Sequence, residues 1–229
     1  MAVRQEHSVN RLSVVIPALN AARFLPATLA ALGSGADEVV VVDGGSGDAT
    51  RDIAADAGAV VCAAPRGRGI QLSQGIAAAT GDWLLLLHAD TCLQAGWEPA
   101  ARAFMAEPAS RAAYFRLALN SRDPRARRLE RLVAWRSRTF GLPYGDQGLL
   151  LPRRLLAAVG GIRPLPLMED VDLVRRIGRA RLAALDIAAV TSAERWERDG
   201  WLARSARNLA CLSLYFAGVP PRWLARLYG

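Results

Sequence analysis

The chain has 229 residues, is 52% apolar and carries a formal net charge of +8. That length and apolar content suffice for one domain with a substantial core. All 29 basic residues are arginine, and a chain without lysine has no Walker-type phosphate loop, no Schiff-base chemistry and no lysine base.

The predicted elements alternate from the start. Residues 12–17 are a short β-rich run, and residues 21–32 form an alanine/leucine stretch with helical spacing and a glycine stop at Gly33. Residues 38–43 read as a second buried strand ending in Asp43, followed by a Gly-Gly-Ser-Gly turn, a helix opening at Asp48 and a third strand over 59–63. A helix over 70–79 leads to the apolar run Trp83-Leu84-Leu85-Leu86-Leu87. Strands and helices in this alternation predict an α/β fold, a mostly parallel central sheet with helices on both faces.

Beyond Asp90 the alternation loosens. A helix is expected over 97–106, an alternating strand over 112–120, an arginine-rich helix over 124–140, a strand over 147–151 and a helix over 153–159. A proline-punctuated loop over 160–167 then feeds the cluster Met168-Glu169-Asp170-Val171-Asp172. There is no internal repeat or low-complexity linker, so the chain reads as one domain over residues 1–229. Its parts are a ligand-binding half over about 10–95, a second half over about 96–200 and a basic amphipathic segment over about 201–229.

The chemistry sits where strands end. A strand that sheds its apolar run at His88-Ala89-Asp90-Thr91 delivers an acid to the crevice where open α/β sheets bind ligands, in reach of a cation and a phosphate. Three carboxylates within four positions, Glu169, Asp170 and Asp172, predict that a neighbour raises the pKa of one of them and makes it a base. One acid for a cation and another for a proton suggests group transfer from an activated phosphate donor. Arg66 and Arg68, flanking Gly67 before a helix, add forked contacts to a diphosphate, as do Arg195 or Arg198. Asp43 is placed to accept hydrogen bonds from a base or ribose.

Plainer roles stay open beside these: Asp90 as a cap after its strand, Asp43 as a turn acid, and the downstream acids as a first helical turn favoured by the dipole. The turn after Asp43 is not a dinucleotide fingerprint, because Thr50 stands where the last glycine belongs and the turn follows the second strand. The basic cluster from Arg125 to Arg138 lacks interleaved aromatics apart from Trp135, which argues against nucleic acid. Cys62, Cys92 and Cys211 have neither zinc-ligand nor redox spacing and read as small core residues in a reducing compartment. Residues 1–11 are polar, without an apolar core of signal-peptide length, and no run of about 18 apolar residues exists. A cytoplasmic protein is expected.

The order of five segments carries a family resemblance. Ser13-Val-Val-Ile-Pro-Ala-Leu-Asn20, Val41-Val-Asp-Gly-Gly-Ser-Gly-Asp48, Leu87-His-Ala-Asp-Thr91, Tyr144-Gly-Asp-Gln147 and Met168-Glu-Asp-Val-Asp172 resemble, in sequence order, the markers of family 2 glycosyltransferases with the GT-A fold. The His-Ala-Asp-Thr form, the Tyr-Gly-Asp-Gln loop, Thr191-Ser-Ala-Glu-Arg-Trp-Glu197 and Leu224-Ala-Arg-Leu-Tyr228 resemble the arsenosugar-biosynthesis-associated subgroup.

The resemblance implies a GT-A (Rossmann-like) nucleotide-diphospho-sugar transferase fold and a metal-dependent, inverting transfer from a UDP- or GDP-sugar to a hydroxyl acceptor. By it, Pro17, Ala18 and Asn20 border the nucleotide base and Asp43 holds the base or ribose. Asp90 ligates Mn²⁺ or Mg²⁺, and Asp170 is the base, with Glu169 as runner-up. His88 stands where the general pattern has an acid facing the nucleotide ribose, and Ala21-Ala22 stand where many relatives carry acids. The alternatives are a non-catalytic nucleotide-sugar-binding protein, which His88 raises, and a nucleotidyltransferase, which the lack of a glycine-rich basic signature over residues 17–23 disfavours. Trp135, Tyr144, Trp196 and Trp201 are available to stack on a sugar or an apolar acceptor chain. The basic, apolar carboxyl-terminal segment offers a peripheral contact with the inner face of a membrane and a lipid-linked acceptor.

Overall fold

A computed structural model describes residues 10–107 and 110–228. The amino-terminal expectation falls mostly on residues 1–9, outside the described residues. The first half alternates as expected: β1 (Leu12–Ala18), α1 (Leu25–Leu32), β2 (Glu38–Asp43), α2 (Thr50–Asp56), β3 (Val60–Ala63), α3 (Arg68–Ala78) and β4 (Trp83–Leu86). The second half comprises β5 (Thr91–Leu93), α4 (Trp97–Met105), β6 (Ala112–Asn120), α5 (Pro124–Phe140), β7 (Leu149–Pro152), α6 (Arg153–Ala158), α7 (Glu169–Ile177), β8 (Leu182–Ser192), α8 (Glu194–Asp199), α9 (Trp201–Phe216) and α10 (Pro221–Tyr228).

The strands form one sheet in the order β3-β2-β1-β4-β7-β6-β8-β5. β1 pairs in parallel with β2 and β4, and β2 with β3, whereas β7 runs antiparallel to both β4 and β6. β4 is therefore central, and every residue of Trp83–Leu86 is buried. Each such leucine contributes roughly 1.5–3 kcal/mol on burial, so this strand anchors both core layers. The carboxyl ends of β1 and β4 open a crevice where the chain order turns around, the usual ligand position in such sheets.

Close backbone packing locks α3 over that crevice. A Cβ on Gly75 would lie 2.4 Å from Val15 and 2.7 Å from Val42, so glycine lets the helix settle onto β1 and β2. Gln71, buried on the same helix, donates to the carbonyls of Ala18 (2.7 Å) and Val42 (2.8 Å) and ties both strand ends to it.

Several boundaries differ from expectation. α1 begins at Leu25 because residues 20–24 are bound in a turn: Asn20 adopts φ +48°, and the amide of Ala21 donates to the Thr50 hydroxyl at 2.8 Å. β8 was not expected at all. Its sequence, LAALDIAAVTS, favours a helix, yet it pairs along the whole of β6 through one irregularity at Phe115/Arg116; tertiary pairing overrides local preference. The segment over 201–228 is two helices, broken where Gly218 takes φ +88° ahead of Pro220 and Pro221. Cys211 is buried as expected, whereas Cys62 and Cys92 are only half-buried.

Candidate active site

Three segments converge at the crevice: the start of α3, the turn after β4 and the start of α7. Arg68 is their hub. Its Nε pairs with Glu169, its Nη2 lies 2.9 Å from Asp170 Oδ2, and its Nη1 lies 2.7 Å from His88 Nε2. A guanidinium has no acceptor, so His88 Nε2 must present its lone pair to Arg68 and the ring proton sits on Nδ1. That nitrogen faces Asp90 Oδ1 at 3.9 Å. His88, Arg68 and Asp170 thus form one hydrogen-bonded set, and Asp90 lies beside it, too far from the imidazole for a hydrogen bond.

The local sequence explains the convergence. Gly67, at φ +143°, precedes the first turn of α3. A Cβ on Gly69 would lie 2.8–2.9 Å from backbone atoms of Arg163 and Leu165. Only a glycine there lets the loop before α7 lie against α3 and deliver Glu169 and Asp170 to Arg68. Met168, immediately before them, takes φ +67°, a strained conformation for a non-glycine residue that aims the two acids inward. Asp172 does not join them. It is buried against Arg163 (3.0 Å) and Arg176 (2.7 Å), and Arg176 also donates to the Gly161 carbonyl at 2.7 Å, so this third acid fastens the loop.

The expected raised base is distributed differently. Burial pushes Asp170 upward, but Arg68 and the amides of Gly145 (2.8 Å) and Val171 (2.7 Å) outweigh it and hold the carboxyl below the ordinary range. Burial pushes Glu169 up against the pull of Arg68. Burial and the adjacent Arg68 push His88 down to about 4, so it is neutral near pH 7.

Tyr144-Gly-Asp-Gln147 supplies a wall that the sequence pattern marked without assigning it a role. Gln147 is buried, donates to the Phe115 carbonyl (3.0 Å) and accepts from the Ser137 hydroxyl (2.9 Å), pinning the loop to β6 and α5. Arg136 stacks over the Tyr144 ring at 3.5 Å. Asp146 keeps a buried Oδ1 without a partner among the described residues, and burial pushes its carboxyl up to about 6. A recess beside this loop is lined by Arg68, His88, Tyr144, Gly145, Glu169 and Asp170 over an apolar floor that includes Leu72 and Leu173.

The remaining expected residues lie around this centre. Asp43 is 2% exposed and accepts from the amides of Gly45 (3.2 Å) and Ser46 (3.1 Å), so here its carboxylate fixes its own loop. Asn20 binds the same loop, accepting from Gly47 N at 2.9 Å while its own amide donates to Ser46 Oγ at 2.8 Å. Ala18 lies buried and Pro17 half-buried at the end of β1, and Arg66 is exposed. Arg68 points into the carboxylates and is not free for a diphosphate. Arg198 is taken up by Asp199 at 2.8 Å, whereas Arg195 lies near enough to lower the pKa of His88. Trp201 is core, Trp196 stacks with Arg204, and Trp135 is exposed.

Asp90 is partly exposed, with the Thr191 hydroxyl 3.4 Å from Oδ1. Among the described residues no group of three or more His, Cys, Asp and Glu side chains is arranged to hold a metal. One free-faced carboxylate suits a hard divalent ion that draws its other ligands from phosphates and water, not a cage built by protein alone.

Residues 13–156 match the family Glycosyl transferase family 2. The chain belongs to that family. An uncharacterized glycosyltransferase of Mycobacterium tuberculosis is 41% identical over 85 residues, 37% of this chain and 38% of that protein. The curated relatives are matched over only 18% to 38% of their own length. Glucosyl-3-phosphoglycerate synthase from M. tuberculosis, solved with Mn²⁺, UDP and glucosyl-3-phosphoglycerate, aligns with a TM-score of 0.55 at 21% identity over 78% of this chain and 70% of that one. S. aureus TarS aligns with a TM-score of 0.61 at 19% identity over 86% of this chain and 39% of that one. This family-2 chain thus has the expected fold, a GT-A arrangement in which the inner strand β7 and the edge strand β5 run antiparallel to their neighbours.

Proposed function

We propose that the protein is an inverting glycosyltransferase that moves a sugar from a nucleoside-diphosphate donor to a hydroxyl acceptor, with Asp170 as the base. The observation that carries this reading is the hydrogen-bonded set His88–Arg68–Asp170 at the carboxyl ends of β1 and β4, with Asp90 3.9 Å from the imidazole. On this reading a cation-binding acid and a proton-accepting acid flank the same Arg68–His88 pair. Membership of family 2 and the UDP held by the mycobacterial synthase support a nucleotide-sugar donor.

In this mechanism Pro17, Ala18, Asn20 and the loop held by Asp43 border the nucleotide, and Arg66 and Arg195 approach the diphosphate. Asp90 would hold Mn²⁺ or Mg²⁺, which as a Lewis acid offsets charge on the departing diphosphate. Asp170 takes the acceptor hydroxyl proton, the acceptor oxygen bonds to the anomeric carbon, and the bond to the diphosphate breaks on the opposite face, inverting the centre. Arg68 keeps Asp170 ionised and oriented, and neutral His88 adds no charge where the general pattern has an acid.

A panel of nucleotide sugars tested by thermal shift, each with and without Mn²⁺, followed by donor hydrolysis, tests the reading. One UDP- or GDP-sugar is expected to stabilise the protein more with Mn²⁺ than without it, and Mn²⁺ alone is expected to give no heat of binding by calorimetry, since the protein offers too few ligands by itself. Tight binding of Mn²⁺ without nucleotide would overturn the shared-ligand assignment of Asp90. Donor binding with no turnover across a broad acceptor panel would leave the pocket as a binding site alone.

Gly145 provides a local check. A Cβ there would stand 2.6 Å from His88 Nε2 and 3.2 Å from Asp170 Oδ2. Gly145→Ala is expected to displace the imidazole from Arg68, costing about 1–3 kcal/mol of stability and about a hundredfold in turnover, read by thermal denaturation and transfer assay. Unchanged turnover would show that the His88–Arg68 contact has no part in the reaction.

A further inference from the structure

A helix on a protein surface ordinarily turns its charges outward and its apolar stripe inward. α9 reverses this. Of its only charged residues, Arg204 is buried and Arg207 half-buried, each is 2.8 Å from Asp199 Oδ2, and Arg204 also donates to the Tyr228 hydroxyl at 3.0 Å. The outward positions carry Leu202 (85% exposed), Ala203, Ala206, Leu209 (64%), Ala210 and Phe216 (48%) at helical spacing, with the small Ser213 the one polar residue exposed among them. α10 packs against α9 and continues the pattern with exposed Trp223 (49%) and Leu227 (59%). Large apolar side chains gathered on one exposed face mark an interaction surface.

The border of this face is cationic. Arg222 and Arg226 flank Trp223, at 5.9 and 4.7 Å from its ring, and exposed Arg175 lies 4.7 Å from the ring of Phe216. Residues 201–228 contain no aspartate or glutamate. A second copy docking by the same face would set these arginines against their own kind. An anionic lipid surface instead meets apolar side chains with its acyl boundary and arginines with its headgroups, with a tryptophan at the level between. Among the described residues no helix is long and apolar enough to cross a membrane, so the contact is with one leaflet.

We infer that α9 and α10 form a docking face for an anionic bilayer surface. This goes beyond the proposed reaction and is independent of it. The face adjoins the site's side of the core, since Tyr228 of α10 and Tyr144 pack against the same apolar cluster.

The full chain is tested by co-sedimentation with vesicles of phosphatidylcholine alone and of phosphatidylcholine and phosphatidylglycerol in equal parts, at low and high salt. Binding is expected to the mixed vesicles only and to weaken with salt. Arg222→Ala with Arg226→Ala should weaken partition about fivefold per arginine, and Leu202→Glu with Leu209→Glu should abolish it, with circular dichroism and melting temperature unchanged at these exposed positions. Recovery in the supernatant with both vesicle types overturns the inference. So does binding indifferent to both double variants, or a vesicle-free dimer that Leu209→Glu dissociates, which would give the face to a second copy.

Discussion

Asp170→Asn is expected to lower the transfer rate about a thousandfold while leaving donor affinity within about threefold, because a positioned general base contributes roughly 10²–10⁴. The substitution is nearly isosteric, but it cannot satisfy every contact. Asp170 accepts from Arg68 Nη2, Gly145 N and Val171 N, so an asparagine must turn its NH₂ toward at least one donor and loses the lone pairs that take the acceptor proton. The pH profile separates Asp170 from Asp146, whose carboxyl burial pushes up. Asp170 is held below the ordinary range, so as the base it stays deprotonated and the rate holds as pH falls through 6. Were Asp146 the base, the rate would halve near its value of about 6, and Asp146→Asn would carry the larger loss. A transfer rate for Asp170→Asn within tenfold of the parent would remove Asp170 from the role.

The first half of the fold was legible because buried parallel strands are unbroken runs of valine and leucine, and in this chain two of them stop at acids, at Asp43 and just ahead of Asp90. That is a strong signal in a single sequence. The pair Glu169-Asp170 was legible for a related reason, since acids at a helix start are conspicuous wherever they end up. What sequence alone leaves open is which of them become structural. Asp172 sits two residues from Asp170 yet fastens a loop through Arg163 and Arg176, and Asp43 spends its carboxylate on the amides of its own turn. Both outcomes depend on contacts formed only when distant segments close.

Arg68 was misread for the same reason. Its position beside Gly67 at the start of a helix suggested forked contacts to a diphosphate, whereas Gly69 admits the backbone at Arg163 and Leu165, which sets the acids of α7 against the guanidinium. What Arg68 meets is decided by a loop roughly a hundred residues away in the chain. β8 illustrates the opposite limit. An alanine-rich stretch with helical preference becomes a strand because β6 offers it a long partner, and no local pattern announces that partner.

Arg68→Met is expected to destabilise the protein by about 3–5 kcal/mol at neutral pH, the usual consequence of stranding a buried charge, and to lower the melting temperature by about 6–20 °C for a chain of this size. Glu169 is 2% exposed at its side chain and has Arg68 as its cationic partner, so the methionine variant must either bury an unpaired carboxylate or bind a proton. The pH dependence follows in sign. In the parent, the depressed carboxyl of Asp170 contributes stability that is present above its unfolded pKa and lost as pH falls through the folded value. In the variant both folded pKa values rise above the unfolded ones, so stability is retained at acid pH and lost as pH rises through them. The gap between parent and variant should therefore be widest near neutrality and narrow steadily toward pH 4, as read by chemical denaturation across that range. Adding Glu169→Gln to Arg68→Met removes the stranded charge and should recover a large part of the loss at neutral pH with little effect at acid pH. A gap that does not change with pH, or a double variant no more stable than the single one, would mean that Arg68 acts by packing and that the ion-paired centre is not what holds α7 against α3.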